Sequence, residues 1–207
     1  MPIITKLERQ KHDNSRVSVF VDGEYSFSVT DEIIIEYGIA QGKDPSLLPL
    51  QDIMAEDEYK RCLSAAFKHA AVSEKTEKQM RDFLTKKEYS LKSVDRVISR
   101  LKELDYINDL SYAKNFVEHS AHTGIRALRY KLKMKGISEA DILTALENET
   151  EEAQEEKALK IAEKQLPKYQ KHPVFEQKRR LNAYLLNHGF DYEISKQVID
   201  KLLSEED

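Results

Sequence analysis

Few residues of this sequence have the types and spacing that catalysis needs. Cys62 is the only cysteine, which excludes an intramolecular disulfide and a multi-cysteine zinc site. It lies within YKRCLSAAFKHA, a pattern that predicts a packed thiol on a helix rather than a nucleophile. His119 and His122 could share a metal ion, but the sequence indicates no third ligand. Because a phosphate-binding glycine loop, a nucleophile elbow and an HExxH motif are also missing, we expect a protein that is not an enzyme and has no cofactor.

The clearest chemical signal is a basic segment, AHTGIRALRYKLKMKG, which contains no acidic residue. On a helix, Leu128 and Leu132 would define the buried side, while Arg126, Arg129 and Lys133 would lie within about 60° of arc on the outward side. Such a stripe suits an extended anionic partner, either acidic loops along a protein filament or a nucleic-acid backbone. The alternative interpretation is a set of solvated cations that form local helix pairs.

The composition is that of a folded, charge-rich protein. Of its 207 residues, 34% are charged and 40% are hydrophobic, and the net charge of −4 argues against a molecule that binds polyanions with its whole surface. No apolar run approaches the roughly 20 residues of a membrane span, and the first residues lack the apolar stretch of a secretory signal. We therefore expect a cytoplasmic protein, and a monomer, that does not enter membranes.

The first 48 residues predict a small sheet followed by a short helix. Strand-like alternation in ITKLERQ, RVSVFVD and EYSFSV, with turns at HDNS and at Asp22-Gly23, predicts a three-stranded meander. Thr30 is placed to cap a helix that runs through Tyr37 and ends at Gly38. The segment GKDPSLLP marks a boundary, after which the apolar residues follow a helical period.

The remainder of the chain contains an internal repeat with a period of about 50 residues. Three stretches superpose so that one buried position is occupied by Leu84, Leu132 and Leu185. Four residues later, where a helix would end, stand Glu88, Gly136 and Gly189. Each is followed by an apolar residue and then by a helix-capping residue, which predicts helix, tight corner and helix. Because the first corner has glutamate, we do not expect it to need a left-handed residue.

A further amphipathic segment precedes each of these helix pairs, so each unit should contain three helices. We predict a mainly α protein with three tandem three-helix repeats in an elongated, jointed array, preceded by a strand-rich extension. The predicted segments are 1–48 for the β-rich extension with its short helix, and 49–107, 108–149 and 150–207 for the three repeats. The predicted joints are the acidic run 147–156, as a solvated linker or helix start, and the segment that contains Pro167 and Pro173.

The repeat alignment extends the basic stripe beyond the central unit. In the first unit Lys78 and Arg81 align with Arg126 and Arg129, and in the third unit Arg179 aligns with Arg126. We therefore predict a partner-binding footprint centred on the three cations of the central unit and assisted by those of its neighbours. Its members are Arg126, Arg129, Lys133, Lys78, Arg81 and Arg179.

The stretch from 101 to 137 resembles the central signature of the RecX family of recombinase regulators. The resemblance rests on LDYIND, Tyr112-Ala113, Phe116-Val117, Gly124 before a basic helix, and Lys135-Gly136-Ile137. It continues through the three tandem units, and a strand-rich extension is found in part of the family. Most apolar residues of this signature should pack in a core or between units; they are Leu104, Tyr106, Ile107, Tyr112, Phe116 and Leu132.

The resemblance implies a fold of concatenated three-helix motifs and a modulator that lies in the groove of the RecA–DNA filament. Such a protein would mostly inhibit the recombinase, ATPase and coprotease activities of RecA in recombination, DNA repair and the SOS response. Its partners would be the filament and single- or double-stranded DNA within or outside it. The alternative is a direct DNA-binding protein with helix-turn-helix-like units such as KMKGISEADI. The net charge and the lack of an obvious exposed aromatic series for base stacking favour the first interpretation.

Overall fold

A three-stranded sheet precedes ten α-helices in residues 1–11 and 13–204, the part of the chain that this computed structural model describes. Two sequence predictions, the turn at HDNS and the last repeat, include His12 and residues 205–207, which lie outside the described residues. Across the described helices, none is long and apolar enough to cross a membrane.

The boundaries of the elements follow the predicted change from a strand period to a helical period. The strands are β1 (Ile4–Arg9), β2 (Arg16–Val21) and β3 (Glu24–Thr30). The helices are α1 (Asp31–Glu36), α2 (Leu50–Ala70), α3 (Glu77–Lys86), α4 (Leu91–Glu103), α5 (Asp109–Glu118), α6 (Ile125–Met134), α7 (Glu139–Ala145), α8 (Glu151–Gln165), α9 (Val174–Asn187) and α10 (Tyr192–Ser204). Short 3-10 helices are formed by Pro45–Leu47 and Leu166–Lys168.

The predicted meander is confirmed, because the strands pair antiparallel in the order β1-β2-β3. Asp22 and Gly23 both have positive φ, 51° and 90°, as a two-residue hairpin turn with the twist of its strands requires. One face of the sheet is buried through residues such as Val19, and Ile33 of α1 and Ile53 of α2 complete this core. The sheet therefore packs on the first long helix of the chain.

Thr30 stands at the start of α1, as the sequence predicts, but its side chain does not cap that helix. Its backbone N–H instead donates to Asp57 of α2, at 2.7 Å. The predicted C-terminal end is confirmed, since Tyr37 is the last cap residue and Gly38 follows with φ of 58°. Asp57 thus satisfies the N–H of Thr30 itself, and not the N–H groups in the first turn of α1 that a Thr30 cap would satisfy.

The nine later helices form the three predicted repeats within the described chain: α2–α4 are repeat 1, α5–α7 are repeat 2 and α8–α10 are repeat 3. Leu84, Leu132 and Leu185, the aligned leucines, are all fully buried. Repeats 2 and 3 each have a hydrophobic core of their own, built around those leucines. The period of the sequence therefore identifies the residues that hold each repeat together.

The corner of repeat 1 differs from its prediction. Glu88 has φ of +64°, so it adopts the left-handed conformation that Gly136 and Gly189 adopt at +85° and +87°. The expectation that glutamate would avoid this conformation was wrong, because the tight corner fixes the backbone regardless of the side chain. An L-residue in this region costs about 1–2 kcal/mol.

The signature residues are mostly packed, with two exceptions. Ile107 and Leu132 are buried, and Tyr112 and Phe116 pack against the core of repeat 2. Leu104 and Tyr106 instead remain 41% and 52% exposed, contrary to the expectation of core packing for these two side chains. Asp105 between them has φ of 56°, so this short connection turns tightly and leaves its flanking side chains outside.

Two compact units make up the chain. The first contains Met1–Ser73 and Met80–Leu104, and the second contains Glu74–Gln79 and Asp105–Asp207. The boundary falls inside α3, whose first residues belong to the second unit. The four-segment division drawn from the sequence stays a prediction.

Candidate functional site

The predicted basic stripe lies on the exposed face of α6. Leu128 and Leu132 are fully buried in the core of repeat 2, and Arg126, Arg129 and Lys133 are exposed, as the helical spacing predicts. The side chains of Arg126 and Arg129 are 66% and 54% exposed. The structure therefore presents these three cations to solvent along one side of a single helix.

Two of these cations have acidic neighbours that the sequence analysis did not identify. Arg126 forms an ion pair with Asp191 at 3.7 Å, and Arg129 forms one with Glu139. Both acids stand at the start of the last helix of a repeat, where the helix dipole favours negative charge. This preference for acids at helix starts is the sequence signal that could have predicted Asp191 and Glu139 near α6. Lys133 makes no ion pair or hydrogen bond with any residue in the described part of the chain.

The outer members of the predicted footprint also have identifiable neighbours in the structure. In repeat 1, Arg81 pairs with Asp95 at 2.5 Å. In repeat 3, Arg179 pairs with Glu176 at 2.9 Å and its side chain is 67% exposed. Lys78 is exposed at the start of α3, where its side chain lies against Gly136. The footprint is thus a set of surface cations, most of them with a nearby carboxylate.

The position of Arg126 is fixed by a close backbone contact with the corner of repeat 3. Gly124 N–H donates to the carbonyl of His188 at 2.8 Å, and Arg126 N–H donates to the carbonyl of Gly189 at 3.1 Å. A Cβ at Gly124 would lie 2.2 Å from the Gly189 backbone, and one at Gly189 would lie 2.3 Å from the Cβ of Ala127. Both positions therefore require glycine.

An equivalent contact occurs at the start of α3, in the part that belongs to the second unit. Thr76 Oγ1 donates to the carbonyl of Lys135 at 2.7 Å, and a Cβ at Gly136 would lie 2.4 Å from the Cβ of Lys78. Thr76 aligns with Gly124 and Lys78 with Arg126. The corner of one repeat thus packs on the N-terminus of the preceding middle helix twice in the chain.

A side chain from the following repeat completes each of these helix starts. Asp109 accepts a hydrogen bond from Glu77 N–H at 2.8 Å, and Gln154 accepts one from Ile125 N–H, also at 2.8 Å. These contacts satisfy backbone N–H groups that have no partner within their own helix. Gln154 is 1% exposed, so it forms a buried part of the contact between repeats 2 and 3.

The acidic run 147–156 combines a short connection, 147–150, with the start of α8 from Glu151, so a helix start, one of the two outcomes expected for it, is found in its second part. Thr150 caps the helix by accepting from Ala153 N–H at 3.3 Å, and Glu149 pairs with Lys157 at 2.5 Å. Its side chains are therefore engaged locally and at the contact with repeat 2. The segment around Pro167 and Pro173 is a 3-10 helix and turn before α9.

Of the residues considered for chemistry in the sequence, Cys62 is buried and His119 is in contact with its own helix. Cys62 is fully buried on α2, and burial raises the pKa of its thiol to about 11, so the predicted packed thiol is confirmed. His119 Nδ1 is 2.8 Å from the Asn115 carbonyl on its own helix. In the described residues, no group of three or more His, Cys, Asp and Glu side chains is placed to hold a metal ion.

Three protein-family models match the segments whose folds are described above. Residues 2–44 match the regulatory protein RecX N-terminal domain, residues 62–101 match the first three-helix domain of RecX, and residues 152–199 match its third three-helix domain. The chain belongs to the RecX family. The resemblance noted in the central signature therefore extends to the N-terminal sheet and to the outer repeats.

Relatives of similar length support this assignment. The regulatory protein RecX of Clostridium beijerinckii is 32% identical over 99% of this chain and 97% of its own. The RecX of Clostridium acetobutylicum is 36% identical over 98% of this chain and 97% of its own. Among solved structures, a regulatory protein RecX has a TM-score of 0.73 at 25% identity and covers 97% of this chain and 100% of its own. RecX from Lactobacillus salivarius has a TM-score of 0.66 at 27% identity and covers 71% and 97%.

Proposed function

We propose that this RecX-family protein binds the RecA–DNA filament, in its groove, and mostly inhibits the recombinase, ATPase and coprotease activities of RecA. It would act in the cytoplasm as a monomer, by binding rather than by catalysis, and without a cofactor. The relatives are named regulatory proteins, which supports a regulatory role. The proposed footprint is Arg126, Arg129 and Lys133, assisted by Lys78, Arg81 and Arg179.

The observation that carries this proposal is the exposed basic side of α6. Arg126 and Arg129 keep more than half of their side-chain surface in solvent, and Lys133 forms no ion pair with any described residue. The buried leucines hold α6 so that its three cations all face away from the core. A row of cations on a rigid helix can contact successive anionic groups of an extended partner.

The existing ion pairs leave these arginines available. An ion pair between exposed side chains contributes only about 0–1 kcal/mol, because water and salt screen it. The pairs that Arg126 and Arg129 form with Asp191 and Glu139 are of this exposed kind, so carboxylates or phosphates of a filament can replace them. Asp191 and Glu139 would also reduce the binding of weakly charged polyanions, because these acids compete for the same guanidinium groups.

Charge reversal on α6 tests the proposal. The variant with Arg126→Glu, Arg129→Glu and Lys133→Glu should require at least about tenfold more protein for half-inhibition of RecA-catalysed strand exchange. Lys131→Glu is the matched control, because Lys131 is exposed on the same helix but about 140° around it from Arg126. Circular dichroism should show unchanged helical content in both variants. Full inhibition by the triple variant at physiological salt would exclude this footprint.

Direct binding to DNA is the alternative that the same exposed cations would allow. The two partners are distinguished by titrating single- and double-stranded DNA with and without RecA over a range of salt concentrations. Filament binding predicts weak association with bare DNA and tight association only after RecA has assembled. High affinity for bare DNA with a steep salt dependence would instead assign the cations to the phosphate backbone.

A further inference from the structure

Repeat 3 has a shallow groove that lies outside the basic stripe of α6. It has a volume of about 320 Å³ and lies between α9 and α10. Phe175 and Tyr192 form much of its lining although they are 79% and 55% exposed. Large aromatic side chains with this much exposure on the same groove are typical of a surface that binds another protein.

In each of the other two repeats, an ion pair bridges the two corresponding helices. Arg81 pairs with Asp95 in repeat 1, and Arg129 pairs with Glu139 in repeat 2, each joining the middle helix to the last helix. By the repeat alignment, the residue of repeat 3 that corresponds to both arginines is Asn182. The positions of the two acids, Asp95 and Glu139, are taken by Lys196 and Tyr192.

These replacements leave unmatched groups in the groove. Asn182 Oδ1 is buried, and it accepts no hydrogen bond from any described residue. Lys196 is exposed and makes no ion pair within the described structure. A buried acceptor without a donor is unfavourable, and it is satisfied when a binding partner supplies an N–H group. The groove therefore has an apolar floor, an unfilled acceptor and an unpaired cation together.

We propose that this groove binds an acidic peptide segment of a partner protein that carries a large apolar side chain. The apolar side chain would lie against Phe175 and Tyr192, and a carboxylate would pair with Lys196. A backbone N–H would donate to Asn182 Oδ1 once the side-chain amide rotates toward the groove. The other two cations among the described lining residues are already paired, Arg179 with Glu176 at 2.9 Å and Lys178 with Asp200, so Lys196 is the one left for the carboxylate of the peptide.

A peptide fits this groove better than a nucleic-acid backbone. The exposed surface of the groove is largely apolar, and the carboxylate of Asp200 in its lining is already paired with Lys178, at 3.1 Å. A phosphodiester backbone would leave the aromatic surface uncovered, whereas the apolar side chain of the peptide covers it. This inference does not depend on the filament proposal although Arg179 belongs to both surfaces, because it rests on Phe175, Tyr192, Asn182 and Lys196 and would hold for any partner with such a segment.

The probe is a fluorescein-labelled peptide of about ten residues with a central Leu-Phe pair between Asp and Glu residues. Fluorescence anisotropy should give a Kd of the order of 10–100 μM, typical of a short unstructured ligand. NMR should show shifts of the side-chain amide of Asn182 and of the backbone amides around Tyr192. Lys196→Glu and Tyr192→Ser should each weaken binding about tenfold or more. Lys171→Glu, an exposed lysine of repeat 3 outside the groove, should bind like the parent chain.

Two control ligands separate the alternatives. A peptide with Asn and Gln in place of the acids, and one with Ser-Gly in place of Leu-Phe, should each bind at least about tenfold more weakly. Equal binding of these peptides, or no response of Asn182 to the acidic peptide, would overturn the proposal. So would a single-stranded oligonucleotide that shifts the Asn182 amide when the peptide does not. Self-association that buries Tyr192 and blocks the peptide would also overturn it, because the occupant would then be a second copy of the chain.

Discussion

The backbone N–H of Thr30, at the end of β3, donates a 2.7 Å hydrogen bond to the buried carboxylate of Asp57 on α2. The same carboxylate accepts from Arg61 at 2.9 Å and from Arg16 at 3.4 Å. A fully buried charge is stable only when it is paired and hydrogen-bonded, and here the partners come from β2, β3 and α2. One aspartate therefore connects the sheet to the first long helix.

Removing this carboxylate should destabilise the first unit strongly. Asp57→Ala is expected to lower the free energy of unfolding by about 3 kcal/mol, because it leaves the Thr30 N–H without an acceptor and leaves the Arg16 guanidinium, which also donates to Ser28, without its carboxylate. Asp52→Ala, on the exposed side of the same helix, should change it by less than about 0.5 kcal/mol. Urea denaturation followed by circular dichroism measures both. Equal stability of the two variants would contradict the proposed importance of Asp57.

The contact between repeats 2 and 3 should not tolerate a methyl group. Gly189→Ala combines a φ of +87° with a Cβ only 2.3 Å from Ala127, so we expect a loss of more than about 2 kcal/mol. Gly42→Ala has the same φ but open space around its Cβ, and should lose only about 1–2 kcal/mol. Hydrogen exchange at the amides of Gly124 and Arg126 should accelerate only in Gly189→Ala. Protection that stays unchanged there would show that the corner does not hold this helix start.

A substitution at the corner of repeat 1 should stabilise the protein, in contrast to the substitution at the corner of repeat 3. Glu88→Gly should raise the free energy of unfolding by roughly 0.5–1 kcal/mol, because it relieves the left-handed backbone while losing some entropy in folding. Glu88→Ala removes the same charge and keeps the unfavourable φ, so it should give no such gain. Thermal unfolding of the three proteins compares them directly. A gain in both variants would assign the effect to charge rather than to backbone conformation.

Glu58 should make the first unit sensitive to acid. Burial raises the pKa of Glu58, but hydrogen bonds from Ser90 and Ser93 lower it by more, so its pKa lies below the ordinary value. Since the folded protein binds the proton less readily than the unfolded chain, this stabilisation is complete above about pH 4.3 and is lost as the pH falls through the folded pKa.

The test is denaturation of the parent chain and Glu58→Gln between about pH 7 and pH 3. The variant should be less stable by about 1–2 kcal/mol near neutrality, and the difference should shrink in acid. Ser93→Ala removes one of the hydrogen bonds and should move the loss of stability to higher pH. A difference that is constant across the range would show that ionisation of Glu58 does not contribute.

Local patterns were sufficient to predict the strands, the helices and the repeat. The alternation around Val19 and the helical spacing of Leu128 and Leu132 reflect which side of an element is buried, and both were confirmed. Exposure of Arg126, Arg129 and Lys133 followed from the same spacing. Their role as a binding footprint is a proposal, because exposure does not specify a partner.

The missed features depend on residues that are distant in sequence or on backbone geometry. Thr30 and Asp57 are 27 residues apart, and Thr76 and Lys135 are 59 apart, so no periodic pattern connects them. Glu88 adopts its left-handed conformation because the corner requires it, although its side chain gives no indication. The acids beside Arg126 and Arg129 could be recognised only after the helix starts were placed next to α6.

The contacts between successive repeats give the array a direction. The helix start at Thr76 needs the corner at Gly136, and the helix start at Gly124 needs the corner at Gly189, so each repeat is completed by the one that follows it. In repeat 3 the middle helix begins at Val174, one turn earlier than the alignment requires, so its own backbone supplies those bonds. The repeats are consequently not interchangeable modules: in a chain with repeats 2 and 3 exchanged, repeat 2 would come last and its helix start at Gly124 would lack the corner that satisfies it.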